Sequence, residues 1–248
     1  MSGASWRDWY YGDLQSLWAL VAVPGLWLLW RLLRGRPRNP GADPAAARFV
    51  DAWALVFAVA ALLDPLFTGP VGSALGGGWG TGFVIFFVLL GDFRVYLLVC
   101  FLAGGRLSLR PALREAALLT PVVGAFAFSV YRIAGAAAGS APGQLLWLVY
   151  ELGFLAMLYF LRREIITGRS PLPPTPREAW LRRVTLFVGV YYVLWAACDV
   201  LILAGLDVGW ALRALPNQLY YGWLVSFVHG TFFAASYSAS STSSQASR

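Results

Sequence analysis

The chain has 248 residues, of which 59% are hydrophobic and only 12% are charged. Soluble domains carry about 25% charged residues, so this composition excludes a soluble globular protein and indicates that lipid is the solvent. The formal net charge of +7 comes from 19 basic residues, all of them arginine. Arginines that retain loops on one side of a membrane explain this charge, so no nucleic-acid partner is predicted.

Seven apolar segments follow one another along the chain, each long enough to cross a hydrocarbon core about 30 Å thick as a helix. They cover residues 14–33, 52–68, 82–103, 112–135, 144–161, 184–205 and 216–236. The sequence therefore predicts an all-α integral membrane protein, a bundle of seven transmembrane helices. We expect a single transmembrane domain over 1–236 and a disordered Ser-rich tail over 237–248.

The arginines predict the orientation of this bundle. They follow the first, third and fifth segments: Arg31, Arg34, Arg36, Arg38, Arg48, Arg106, Arg110, Arg114, Arg162, Arg163, Arg169, Arg177, Arg182 and Arg183. The loops at the other end carry only Arg132 and Arg213, next to helix ends. Because short basic loops stay in the cytoplasm, the N-terminus is predicted outside and the C-terminus cytoplasmic, in a multi-pass protein of a bacterial-type plasma membrane.

A weak internal repeat adds a hypothesis about helix arrangement. Residues 60–64 (AALLD) resemble residues 195–199 (WAACD) at an offset of 135 positions. Such an offset predicts a parallel repeat of three plus one plus three helices, an arrangement that some carriers use. Pro24 and Pro65 in the first three helices have no matching prolines in the fifth and sixth, which argues against a symmetric pair of units.

Ionisable residues inside the predicted spans are the candidates for function, because a charge in the hydrocarbon core is costly and usually marks a site. They are Asp64, Asp92, Arg94, Glu151, Asp199 and the only histidine, His229. In the predicted orientation Asp64, Glu151 and Asp199 fall in the outer half of the membrane, and Asp92 and Arg94 fall near its centre. The sequence therefore predicts a polar cavity that opens outward.

Helical spacing assigns these residues to faces. Asp92 and Tyr96 are four apart and share a face, whereas Asp92 and Arg94 lie about 200° apart and each need a partner on another helix. We predict that the stripes carrying Asp199, Glu151 and His229 face one another across the bundle. The candidate ligand-binding residues are Arg94, Tyr96, Trp147, Glu151, Tyr192, Trp195, Gln218, Tyr221, Ser226 and His229.

Structural roles compete with this interpretation. Arg94 is neutralised by Glu151 or Asp199 in one hypothesis, which makes the charges a device that fixes helix register. His229 fits an interhelical hydrogen bond better than a ligand or a base. Asp64 precedes Pro65 and fits a helix boundary. We expect Asp92→Asn and Arg94→Gln to impair function far more than Asp51→Asn or Glu164→Gln.

Composition removes several classes of function. A chain without lysine cannot form a retinal Schiff base, and one histidine cannot supply a catalytic metal site, so neither metal nor cofactor is predicted. A transporter of small solutes, with or without proton coupling, is the first hypothesis, and its partners are the lipid bilayer and a small-molecule ligand. No oligomeric state follows from the sequence.

Two other classes stay open. One is a membrane-embedded acid–base enzyme of the cyclase or isomerase type, acting on an isoprenoid or another lipid-soluble substrate. It would use Asp64 or Asp199 as proton donor, Asp92 as base or charge stabiliser, and Arg94 to organise the charge of Asp92. A structural or pigment-binding subunit is the third hypothesis. Whether the protein is an enzyme is therefore an open question at this level.

Overall fold

The computed structural model describes the backbone of residues 5–35, 43–103, 107–169 and 175–245, and side chains as far as residue 234. These ranges contain helices and connecting turns and no strand. The α-helices are α1 (Trp6–Tyr11), α2 (Ala19–Arg34), α3 (Pro44–Leu66), α4 (Gly72–Leu75), α5 (Trp79–Leu102), α6 (Leu109–Ala138), α7 (Gly143–Phe160), α8 (Pro176–Leu203), α9 (Val208–Leu212), α10 (Ala214–Gln218) and α11 (Leu224–Gln245). Four further segments are π-helical: Leu14–Trp18, Phe67–Val71, Leu161–Thr167 and Leu219–Trp223.

Six continuous helical stretches of the described residues are long and apolar enough to cross a membrane. They are Leu14–Arg34, Pro44–Leu75, Trp79–Leu102, Leu109–Ala138, Gly143–Thr167 and Pro176–Leu203. These stretches contain the first six predicted segments almost entirely, which confirms the all-α class and agrees with a multi-pass membrane protein. The predicted seventh span falls on α10, Leu219–Trp223 and α11; the count of seven, the orientation and the division at residue 236 stay predictions.

Several helices begin where the sequence supplies a cap. The Asp43 side chain accepts a hydrogen bond from the backbone N–H of Ala45, 2.8 Å away, with Pro44 as the first residue of α3. Thr175 accepts from the N–H of Glu178 at 3.2 Å, at the start of α8. Each cap satisfies a backbone donor that the first helical turn leaves unpaired, and so fixes where the span begins.

Helix α5 lies inside a closed set of packed helices. It contacts α3, α6 and α8, while α2 packs on α3, α6 on α7, α7 on α8, and α11 on both α3 and α8. From Gly91 to Ala103 nearly every side chain of α5 is buried. A helix that is apolar on all sides and surrounded by others forms the core of such a bundle. Asp92 and Arg94 therefore lie inside the protein, away from lipid.

The helices are interrupted mainly at one end of the bundle. Gly69 adopts a non-helical backbone with φ of −97° and ψ of −106°, between Pro65 and Pro70, so the second span bends there. The π-helical segments Leu14–Trp18 and Leu219–Trp223 lie at the same end. π-helical turns leave backbone groups out of the regular ladder and often occur at functional sites. This end of the bundle is the one that the arginines predict to face outward.

Candidate functional site

A cavity of about 720 Å³ opens at this end of the bundle. Nine of its lining residues are tyrosine or tryptophan: Tyr10, Tyr11, Trp18, Trp147, Tyr150, Tyr192, Trp195, Tyr220 and Tyr221. Among the described residues, its lining carries three carboxylates and one arginine: Asp13, Asp64, Glu151 and Arg213. The volume lies within the range of about 300–1,000 Å³ that small-molecule sites occupy in proteins. The predicted outward-facing half therefore contains a space of ligand size with aromatic walls and acidic groups.

Asp92 lies beneath the floor of this cavity. The Tyr150 hydroxyl donates to its Oδ2 at 2.5 Å, and the Tyr192 hydroxyl donates to its Oδ1 at 2.8 Å. Both tyrosines also line the cavity, while Asp92 itself is only 1% exposed. Hydrogen bonds to a carboxylate are short and strong in such surroundings, and each hydroxyl connects the buried carboxyl to the cavity. The arrangement can hold, or pass on, a proton between the cavity and Asp92.

An aromatic stack closes the bundle below this carboxyl. Tyr96 stacks on Phe154 with ring centres 5.5 Å apart, and Phe154 stacks on Tyr192 at 4.0 Å. Tyr96 and Phe154 are fully buried. Tyr96 shares the face of Asp92, as predicted from spacing, but it belongs to the packed layer and not to the cavity lining.

Arg94 makes a different set of contacts from those predicted. Its Nη2 donates to the backbone carbonyl of Tyr220 at 3.0 Å, and its guanidinium lies 4.0 Å from the centre of the Tyr220 ring. Its Nε has no hydrogen-bond partner among the described residues. The competing structural hypothesis, in which Glu151 or Asp199 neutralises Arg94, does not fit these contacts, because both of those carboxylates lie beside Arg213.

Arg94 lines a small void beside the main cavity. The volume of this void is about 10 Å³, and Asp64, Gly91, Tyr220 and Tyr221 contribute to its walls. A space of this size holds about one water molecule. The void shares Asp64 and both tyrosines with the main cavity, so Arg94 lies one layer behind the ligand-sized space.

Glu151, Arg213 and Asp199 form a charged cluster at the cavity wall. Arg213 Nη1 donates to Asp199 Oδ1, which also accepts from the side-chain amide of Gln144 at 3.1 Å. Arg213 Nη2 lies 3.9 Å from Glu151 Oε1, beyond hydrogen-bond distance. Two carboxylates thus share one guanidinium, and Glu151 is the one that lines the cavity.

Asp64 reaches the cavity from the last turns of α3. The Thr68 hydroxyl donates to the Asp64 carbonyl at 2.7 Å, where Pro65 and the bend at Gly69 interrupt the helix. The Asp64 carboxyl is buried and belongs to the walls of both the cavity and the small void. Its position near a helix end is therefore also a position at the site.

The short helix α1 contributes Tyr10 and Tyr11 to the cavity lining. The Trp6 N–H donates to Asp207 Oδ2 at 2.7 Å, and the Asn217 amide donates to the Tyr10 hydroxyl at 3.0 Å. Asn217 in turn accepts from the indole N–H of Trp195 at 2.9 Å. Helix α1 is thus bonded to the later helices beside the cavity.

The structure brings together six of the predicted site residues and separates the others. Those that line the cavity are Asp64, Trp147, Glu151, Tyr192, Trp195 and Tyr221. Asp92 and Asp199 lie directly behind it. Gln218 donates to the Ala19 carbonyl, and Ser226 donates to the carbonyl of Trp223 on its own helix.

His229, in the second turn of α11, lies toward the opposite end of the bundle from the cavity. Its Nε2 lies 3.3 Å from Asp51 Oδ1, and Arg31 holds both oxygens of the same carboxylate at 2.6 Å. The interhelical role predicted for His229 is thus the one that the structure shows. Asp51, which the sequence suggested as a neutral control position, is a buried partner of two side chains.

Sequence reasoning missed Tyr150, Arg213 and helix α1. Tyr150 lies three residues after Trp147, so the helical period places both on one side of α7. Arg213 was treated only as a topology signal, although it lies close to the helix that carries Asn217. No comparable signal marks Tyr10, because aromatic residues near the start of a span are typical of any membrane interface.

Comparisons with known proteins found no match. No protein-family model matches this chain, and neither any curated protein nor any solved structure matches it.

Proposed function

We propose that this protein binds a small, largely apolar ligand inside the membrane and carries it across. The observation that supports this proposal is the cavity of about 720 Å³, whose aromatic walls enclose Asp64 and Glu151. Ligand sites combine an apolar lining with a few polar groups that orient the ligand. Buried ionisable residues that surround such a space in a membrane bundle are a second mark of a substrate pathway.

The interrupted helices favour a carrier. Gly69 breaks the second span at the cavity, and the π-helical segments Leu14–Trp18 and Leu219–Trp223 contribute further walls. Discontinuous helices around a site near the membrane centre are typical of carriers, since they let one part of the bundle move against the other. In this scheme the closed layer of Tyr96 and Phe154 is the gate that opens when the cavity closes.

An acid–base enzyme is the second candidate, and the contacts of Asp92 favour it. A carboxyl held by Tyr150 and Tyr192 under an aromatic cavity is suited to move a proton to or from a lipid-soluble substrate. Asp64, which lines the cavity, would donate the first proton, while Asp92 would accept the last. The aromatic walls would stabilise a developing cation.

Native mass spectrometry in nanodiscs tests whether the cavity holds a ligand at all. We expect wild-type protein to retain a small molecule that Asp64→Asn loses and that Glu164→Gln keeps, because Glu164 is exposed and lies outside the cavity. A wild-type protein that retains nothing, from several membrane sources, would contradict the proposal.

The retained compound then separates the two candidates. Liposomes containing the protein should exchange labelled compound for unlabelled compound across the bilayer if the protein is a carrier. An enzyme would instead convert the compound to a species of different structure, without exchange between the two sides. Conversion of the compound without its exchange across the bilayer would overturn the carrier hypothesis.

A further inference from the structure

The acidic wall of the cavity carries more negative charge than its one arginine can balance. Glu151 is 3% exposed and lines the cavity, and its Oε2 has no hydrogen-bond partner in the part of the chain that the structure describes. Its other oxygen is 3.9 Å from Arg213. A buried carboxyl without hydrogen bonds is unstable as an anion, so it needs either a proton or a cation beside it.

Arg213 can balance only one of its two carboxylate partners. Its Nη1 donates to Asp199, which is fully buried and also accepts from Gln144. Its Nη2 lies beyond hydrogen-bond distance from Glu151. One guanidinium thus stands against two carboxylates, and the carboxylate that it does not fully neutralise is Glu151, on the cavity side.

Aromatic rings line the same cavity as Glu151. Trp147 and Tyr150 lie within one turn of it on α7, with ring centres 6.1 Å apart. Tyr192 and Trp195 from α8 line the same cavity, 5.5 Å apart in an edge-to-face contact. Aromatic faces attract organic cations, and they do so most strongly where water is excluded.

Arg94 does not oppose a cation at this position. Its guanidinium faces the Tyr220 ring and the small void, and it is not part of the lining of the large cavity. Among the described residues, the lining therefore presents Asp13, Asp64 and Glu151 against Arg213, with Arg94 one layer behind Asp64. The carboxylates still outnumber the two guanidinium groups, and low-dielectric walls strengthen the field of such a surplus.

We infer that the ligand of this cavity is a lipophilic organic cation, which places its positive charge beside Glu151 and its apolar body against the tryptophans and tyrosines. This inference rests on the proposed function, since it names the class of ligand that the same cavity takes. Glu151 is the counter-charge, and Trp147 and Trp195 provide the aromatic wall. A protonated amine and a quaternary ammonium share this chemistry.

Two ions of the same shape and opposite sign provide the test. Equilibrium dialysis of the detergent-solubilised protein, corrected with empty micelles, measures binding of tetraphenylphosphonium and of tetraphenylborate. We expect the cation to bind at least about tenfold more tightly than the anion. Glu151→Gln should weaken binding of the cation by about tenfold or more and leave the anion unaffected, while Glu164→Gln should change neither.

The wild-type comparison needs no variant, so it decides even if Glu151→Gln fails to fold. Glu151→Asp, which keeps the charge, should retain preference for the cation. Equal binding of the two ions, or unchanged cation binding in a folded Glu151→Gln protein, would overturn the inference. Binding of neither ion would also overturn it, and the proposed function would stand if wild-type protein still retains an uncharged or anionic compound in nanodiscs.

Discussion

Opposite ends of the bundle each bury a cluster of three ionisable side chains, and the two clusters are built differently. At the end opposite the cavity, Arg31 donates to both oxygens of Asp51, and His229 contacts the same carboxylate. At the cavity end Arg213 lies beside two carboxylates, Glu151 and Asp199. Each of these carboxylates has one oxygen without a hydrogen-bond partner among the described residues.

This difference separates a structural cluster from a functional one. The Arg31 guanidinium on α2 binds both oxygens of the Asp51 carboxylate on α3, and His229 on α11 contacts the same carboxylate. The cluster therefore connects three helices. Such a pair fixes helix positions, and removal of one member leaves a buried charge. A cluster with unused acceptor atoms beside a cavity has capacity left for a ligand. Mutations in the cluster opposite the cavity should therefore change the stability of the protein, and mutations in the cluster at the cavity should change ligand binding.

Asp51→Asn should have the largest effect, and on stability. Breaking a buried ion pair costs about 3–5 kcal/mol because Arg31 is left without its counter-charge. We expect a large drop in the midpoint of thermal unfolding in detergent, followed by tryptophan fluorescence. Protein that still folds at low temperature should keep the wild-type preference among ligands. Unchanged unfolding together with lost binding would reverse the roles assigned to the two ends.

Gly91→Ala should disturb the floor of the site to a smaller degree. A Cβ at position 91 would overlap the hydroxyl of Tyr220, whose ring lies against Arg94. Overpacking of this kind costs about 1–3 kcal/mol and should displace the ring from its position. The matched control is Gly82→Ala on the same helix, where an added Cβ meets no atom within 4 Å. Equal unfolding midpoints in the two variants would contradict the close contact.

Asp92→Asn should lower stability less than Asp51→Asn and function more. The amide keeps a size close to that of the carboxyl, but it has a single acceptor oxygen. Only one of Tyr150 and Tyr192 can still donate to it, and the other hydroxyl must rotate to accept from the amide, which lowers stability by about 1 kcal/mol. Exchange or turnover of the retained compound should fall at least about tenfold, a change of about 1.4 kcal/mol in activation free energy. Glu164→Gln should behave as wild type. Normal activity in Asp92→Asn would remove this residue from the mechanism.

The architecture could be predicted from sequence because lipid imposes a simple rule. Every backbone group in the hydrocarbon core needs an internal partner, so apolar runs of about 20 residues become helices. Six of the seven predicted segments coincide with such helices. The bend at Gly69 and the π-helical turns were not predicted, since they depend on which neighbouring side chains satisfy the freed backbone groups.

The site could be predicted in part. Charge inside an apolar run singles out Asp64, Asp92 and Glu151 regardless of packing, and all three lie at or directly behind the cavity. Partners could not be predicted, because helical spacing gives a face of one helix but not the rotation of its neighbour. That gap accounts for the unpredicted partner of Arg94 and for the missed bond between Tyr150 and Asp92.

Tyr10→Phe should produce the smallest effect and test whether α1 covers the cavity. The change removes the hydroxyl that accepts from Asn217 and leaves the ring, so it costs about 0.5–1.5 kcal/mol in the closed form. The matched control is Tyr11→Phe, because Tyr11 lines the same mouth but is 58% exposed. If α1 opens for ligand passage, Tyr10→Phe should speed dissociation of bound ligand by about threefold to tenfold, with only a small decrease in the unfolding midpoint. Identical dissociation rates in the two variants would show that α1 stays fixed and that ligands pass elsewhere.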